Sequence, residues 1–246
     1  MKKILRAILC AVIWIGIWEL VSLAVSQSVI LPSPAATAKK LIELLGEKEF
    51  HVSCITSLVR IFAGFLIGTA LGIAFAALSH IGAEFIISPA VTVIKSTPVA
   101  SIIIVMLFLI GKDKVPTVSV LLMVLPVIYA NVLKGLRSPD KNMAEVAKVY
   151  GFSRAKKLKY CTLPAVIPFF SAGVKTSIGL AWKAGIAAEV ICTPKISLGT
   201  LLYDAKIYLE SEELFALTAA VIILSLIIEK ALVFIIDVLS GGKKYA

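Results

Sequence analysis

Long apolar runs separated by short polar breaks set the pattern of this chain. One run ends near Val25, and others cover about residues 57–78, 85–110, 116–133, 168–192 and 214–238. Each holds about the 20 residues that a helix needs to cross a bilayer. The pattern predicts an all-α polytopic membrane protein with six transmembrane helices. Lys2, Lys3 and Arg6 precede the first run, and Ala24-Val25-Ser26 forms a weak cleavage site. The run exceeds a signal-peptide core, so an uncleaved first span with the N-terminus inside is preferred.

Three runs carry features of their own. In the second, Gly64, Gly68 and Gly72 repeat every four residues and line one helical face. Such a face allows close approach by another helix, and packing within the chain is preferred over a dimer contact. Pro98 predicts a kink in the third span or a break after a short leading helix. The fifth is unusually polar. Lys175, Trp182 and Glu189 follow one stripe at i, i+7 and i+14, and Lys183 lies beside Trp182. Lys183 sits about 20 Å beyond Pro168, inside the hydrocarbon layer, where a charge must pair or face water. Trp182, Lys183 and Glu189 are therefore the candidates for a substrate pathway. The competing reading is an internal ion pair between Lys183 and Glu19 or Glu189. Residues 35–45, before the second span, predict a short surface helix, and the outer segment 193–213 a surface or re-entrant one.

The longest polar interruption, residues 138–168, has a structured pattern. Ser138 caps a predicted helix with Pro139 at its first position. Met143, Val146, Ala147 and Tyr150 fall on one face, while Lys141, Glu145 and Lys148 point away. Gly151 stands where a helix end takes a left-handed residue. Ser153 caps a second helix carrying Arg154, Lys156, Lys157 and Lys159. This is either a solvated basic loop that sets topology or a docking element that offers an apolar face to a soluble partner. Glu145 either pairs within the loop, with Lys141 or Lys148, or pairs with that partner.

Composition narrows the class. Apolar residues make up 59% of 246, and mean hydropathy is +0.99. The net charge of +10 is no nucleic-acid signal, because the basic residues gather in the 138–160 loop and at the ends. Cys10, Cys54, Cys161 and Cys192 are scattered, without zinc or disulfide spacing. No phosphate loop and no H-E-x-x-H motif occurs, so neither bound ATP, metal nor catalysis is expected of this chain.

Glu145, Ala147, Gly151, Leu163 and Pro164 resemble the "EAA" signature of ABC-importer permeases. Val146 departs from it, where the family has alanine. Leu31-Pro32-Ser33-Pro34, Ser57-Leu58-Val59-Arg60, Trp182 and Ala188-Glu189 follow in the order of the nitrate/sulfonate/taurine branch. The resemblance implies a type I importer with a single permease domain over residues 1–246 and a coupling loop at about 138–164. Two copies form the path, and two cytoplasmic ATPase subunits use ATP to drive it. An extracytoplasmic substrate-binding protein delivers a sulfonate, taurine, nitrate or similar solute; some relatives carry pyrimidine precursors of thiamine. Met143, Glu145, Val146, Ala147, Tyr150, Gly151 and Pro164 become the ATPase-coupling residues. The protein is then a transporter subunit in the cytoplasmic membrane, with both termini cytoplasmic, and not an enzyme. The alternative is a secondary transporter driven by an ion gradient, which predicts an inverted repeat and midplane acids.

Overall fold

The computed structural model describes residues 2–239. Eleven α-helices occur among them, and no strand: α1 Lys2–Val25, α2 Pro34–Leu44, α3 Lys48–Leu78, α4 Glu84–Ser96, α5 Val99–Ile110, α6 Val115–Leu136, α7 Lys141–Val149, α8 Arg154–Lys157, α9 Leu163–Cys192, α10 Leu198–Ile207 and α11 Ser211–Leu239. Four helical stretches are long and apolar enough to cross a membrane, at residues 48–96, 115–136, 154–192 and 211–236, and shorter apolar ones lie at 9–25 and 99–110.

The first of those stretches is two helices, because Gly82 (φ +119°) turns the axis between α3 and α4. The third predicted span is broken as Pro98 implies. Thr97 is extended (ψ 130°), and Pro98 stands just before α5. The 13 residues of α4 and 12 of α5 are about 20 Å and 18 Å long. Neither leg spans a bilayer alone.

Two helices start earlier than hydropathy indicates. The second span begins at Lys48 rather than near residue 57. Residues 48–56 are mixed in polarity, yet Phe50, Ser53, Cys54 and Ser57 are buried at i, i+3, i+4 and i+7. The fifth begins at Leu163 rather than Pro168, directly after the helical turn Leu158–Thr162, and Pro164 stands in its first turn.

The core forms around α6, which packs between α3 and α9. Val120, Val124 and Ile128 of α6 are fully buried. The glycine seam of α3 faces this helix. A Cβ on Gly64 would lie 2.4 Å from the Thr117 carbonyl oxygen, and one on Gly68 would lie 2.8 Å from that of Leu121. One on Gly72 would meet Ile128 Cβ at 2.9 Å. The seam thus faces α6 of the same chain.

Tertiary contacts sort the connectors onto two ends. At one end Trp18 donates to the Pro32 carbonyl (3.1 Å), Lys40 pairs with Glu213 (3.0 Å), and the Lys195 N–H donates to Asp113 Oδ1 (3.4 Å). At the other end Arg137 pairs with Glu84, and Ser79 bonds Tyr129 (3.1 Å). This alternation is the one a serpentine of spans requires. The expected basic residues Lys2, Lys3, Lys243 and Lys244 lie outside the described side chains.

Candidate coupling surface and pathway

The polar interruption folds as two short helices and a turn. Asp140, not Ser138, caps α7, accepting from the Asn142 N–H at 2.9 Å. Ser138 is still tied to the end of α6 through its N–H to the Gly135 carbonyl (3.2 Å), and Pro139 lies outside the helix. At the far end, the Phe152 N–H reaches the Ala147 carbonyl (2.9 Å) and the Gly151 N–H reaches that of Lys148 (3.3 Å). Gly151 has φ +59°. These two bonds and the left-handed glycine make a Schellman C-cap. Ser153 caps α8 as predicted, accepting from the Lys156 N–H. Its basic residues Arg154, Lys156 and Lys157 are exposed, as is Lys159 beyond it.

The predicted face of α7 divides. Ala147 is only 2% exposed and Met143 is half-buried, its carbonyl 3.7 Å from Cys161 Sγ. These two are spent on folding α7 against the segment that leads into α9. Val146, Val149 and Tyr150, at 39%, 81% and 75% exposure, form the outward apolar face. Val149 is absent from the predicted set because the periodicity gives a stripe but not the way it turns. Glu145 is exposed and makes no ion pair among the described residues. Pro164 is exposed in the first turn of α9.

The polar fifth span carries an internal ion pair, but not the one anticipated. Glu189 is fully buried, and its Oε1 accepts from Arg60 Nη1 at 2.7 Å, so its partner lies on α3 and is not Lys183. Glu189 Oε2 accepts from Ser57 Oγ (2.7 Å) and the Gly199 N–H (3.3 Å), while Ser57 Oγ accepts from the Leu198 N–H (2.9 Å). The carboxylate therefore also sits at the positive end of α10. Its three ties, with the Leu198–Ser57 bond, join α3, α9 and α10 in one network. The motif fragments at Ser57–Arg60 and Ala188-Glu189 are thus the two halves of one contact. Arg60 was legible as an arginine in an apolar run, which needs a partner.

Trp182 is 4% exposed and donates to the Val221 carbonyl at 3.2 Å, so it serves α9–α11 packing. Lys183 is exposed. A cavity of about 330 Å³ opens between α4, α6 and α9, with Lys95, Asn131 and Leu180 in its wall. Lys95 and Asn131 carry no sequence motif, and only the packing of three helices brings them together.

Comparison with known proteins agrees with this architecture. Residues 56–244 match the model of the family described as "binding-protein-dependent transport system inner membrane component". The SsuC protein of Bacillus subtilis, named for aliphatic sulfonates transport, is 26% identical over 86% of this chain and 78% of its own length. The taurine transport system permease protein TauC of Escherichia coli is 26% identical over 87% of this chain and 81% of its own. In fold, the chain is similar to a solved structure of the MetNI methionine ABC transporter in inward-facing conformations. That likeness has a TM-score of 0.63 at 15% identity and covers 76% of this chain and 94% of the other. The chain belongs to the family of binding-protein-dependent transport system inner membrane components and is an ABC-importer permease, a membrane transport subunit rather than an enzyme.

Proposed function

We propose that two copies of this chain form the membrane path of an importer for a small anion. A partner ATPase docks on α7 and α8 and drives alternating access. The observation that carries this reading is the outward face of Val146, Val149 and Tyr150 beside the Gly151 turn. Apolar side chains on a polar, basic loop fit a helix-in-groove contact. Met143 and Ala147 hold that helix in place, Glu145 is exposed beside the face that meets the partner, and Pro164 fixes the entry into α9. The basic residues of this loop support a cytoplasmic position for it, and with it for both termini. A substrate-binding protein delivers the solute to the opposite end.

The names of the relatives support an anionic solute. The aliphatic sulfonates and taurine in their names share a sulfonate group. Lys183 is the residue kept for the path, because it is charged, exposed and deep in α9. Trp182 and Glu189 are assigned to the bundle, because both are buried and bonded within it. Full uptake by a Lys183→Met variant would end the assignment of Lys183.

The docking reading is tested by recovering the chain from its own membranes in mild detergent and identifying what comes with it. An ATPase subunit retained by the native chain and lost from a Glu145→Ala/Gly151→Asp double variant is the expected result. A chain that recovers no ATPase and supports uptake driven by an ion gradient would replace the importer reading with a secondary transporter.

A further inference from the structure

Resting on the importer reading above, we propose that the cleft between α4, α6 and α9 binds a small organic anion with a short aliphatic body. Lys95 and Asn131 hold the charged head.

Depth is the first argument. Glu84 opens α4 at the end where it pairs with Arg137, and Lys95 lies eleven residues further along that helix. At 1.5 Å per residue this is about 16 Å along the helix axis, about half the thickness of a hydrocarbon layer of about 30 Å. A lysine is poorly tolerated there against lipid and is placed where it meets water, a counter-charge or a solute. No ion pair or hydrogen bond to Lys95 occurs among the described residues. The cavity gives the Lys95 ammonium an open space, beside Asn131, in which to meet a counter-charge.

The wall of the cleft gives the ligand its shape. Besides Lys95, the one polar side chain among the described residues lining it is Asn131. Asn131 Nδ2 donates to the Val127 carbonyl at 2.8 Å, which leaves its second N–H for an acceptor. Leu122, Met123, Val127 and Leu180 make the remaining wall aliphatic. A bare inorganic anion leaves these side chains unmatched, and a neutral hydrocarbon leaves the ammonium uncompensated. An alkyl chain ending in an oxyanion meets both. Lys183 is three residues beyond Leu180 on α9, about 4.5 Å further toward the α10 end. It extends the positive wall outward from the cleft and gives the anion a second station.

Labelling and transport together test the site. Met123 is changed to cysteine in the full chain, with Cys10, Cys54, Cys161 and Cys192 replaced by serine or alanine. The variant is reacted in membranes with a sulfonate-bearing and then a trimethylammonium-bearing methanethiosulfonate. The expected ratio of anionic to cationic labelling is higher with Lys95 present than with Lys95→Gln, by about tenfold for one charge at this range in a partly screened cleft. Millimolar 1-butanesulfonate slows the labelling, and sulfate does so far less. A ratio unchanged by Lys95→Gln overturns the proposal. So does a Met123→Cys chain inert to both reagents, because the cleft is then filled by lipid or by a second copy. If the background does not fold, Lys95→Gln and Lys95→Arg in the otherwise native chain are compared by KM for uptake. The proposal expects a raised KM for glutamine and near-native uptake for arginine. A glutamine variant with native KM overturns it. Failure to recover an ATPase bears on the importer reading alone and leaves the labelling ratio to be judged separately.

Discussion

Arg60 and Glu189 meet at 2.7 Å across 129 residues of sequence, with the carboxylate fully buried. Removing one partner strands the other's charge. Glu189→Ala or Arg60→Ala is expected to destabilise by about 3–5 kcal/mol. Thermal melting of the purified chain in detergent reads this at about 2–4 °C per kcal/mol for a chain of this size. Replacing both residues by methionine recovers most of the loss, since two well-packed apolar groups need no counter-charge. Single variants that melt within about a degree of the native chain would remove the ion pair from the account of stability.

The α3–α6 seam supplies a graded prediction. Gly64→Ala sets a Cβ 2.4 Å from a backbone carbonyl, and Gly68→Ala sets one at 2.8 Å. Neither helix can retreat without moving the core, so each costs about 1–3 kcal/mol, Gly64 the more. Gly16→Ala in α1 is the control, because nothing lies within 4 Å of its added carbon. There alanine's helix propensity is worth up to about 1 kcal/mol. Equal melting points for the three variants would refute close packing as the reason for the glycines.

Lys40 and Glu213 tie α2 to the start of α11, and the Glu213 carboxylate holds the Lys40 ammonium above the ordinary lysine value of 10.5. A raised cation contributes stability that is complete below the unfolded pKa and is lost as pH rises through the folded one. The pair is therefore constant through neutral pH and fades only above about 10.5. Lys40→Met is expected to cost at most about 1 kcal/mol, less in high salt. Melting curves of native and variant chains run parallel at neutral pH and converge in strong base. Divergence on acidification instead would point to a different partner for Glu213.

The parts of this fold that were legible were those written in local physics. Apolar runs give spans because lipid admits nothing else. Pro98 marks the α4–α5 break because its ring cannot continue the preceding turn. The cap at Ser138 failed because that residue is still bonded to α6, which left Asp140 to start α7. Arg60–Glu189 was not legible, since two positions 129 residues apart share no local signal. The exchange of Ala147 for Val149 on the outer face of α7 has a similar origin. Both lie on an apolar sector, and only docking against the segment around Cys161 decides which is covered.

Gly151 carries the last prediction because conformation and contact can be separated there. Its φ of +59° favours glycine, yet an added Cβ would meet nothing within 4 Å. A substitution therefore strains the turn without colliding with the chain. Asparagine tolerates the left-handed region best, aspartate less, and a β-branched residue least. The expected order of damage is Gly151→Asn, then Gly151→Asp, then Gly151→Val, with strain of about 1–3 kcal/mol at the far end. All three variants stay in the membrane, because the strain is confined to the α7–α8 turn. What falls is transport per ATP hydrolysed by the recovered complex, in that same order. Normal coupling in Gly151→Val would show that the turn does not transmit the ATPase's motion. Equal loss in all three would mean that the partner packs against the glycine itself, so that bulk and not backbone conformation decides the outcome.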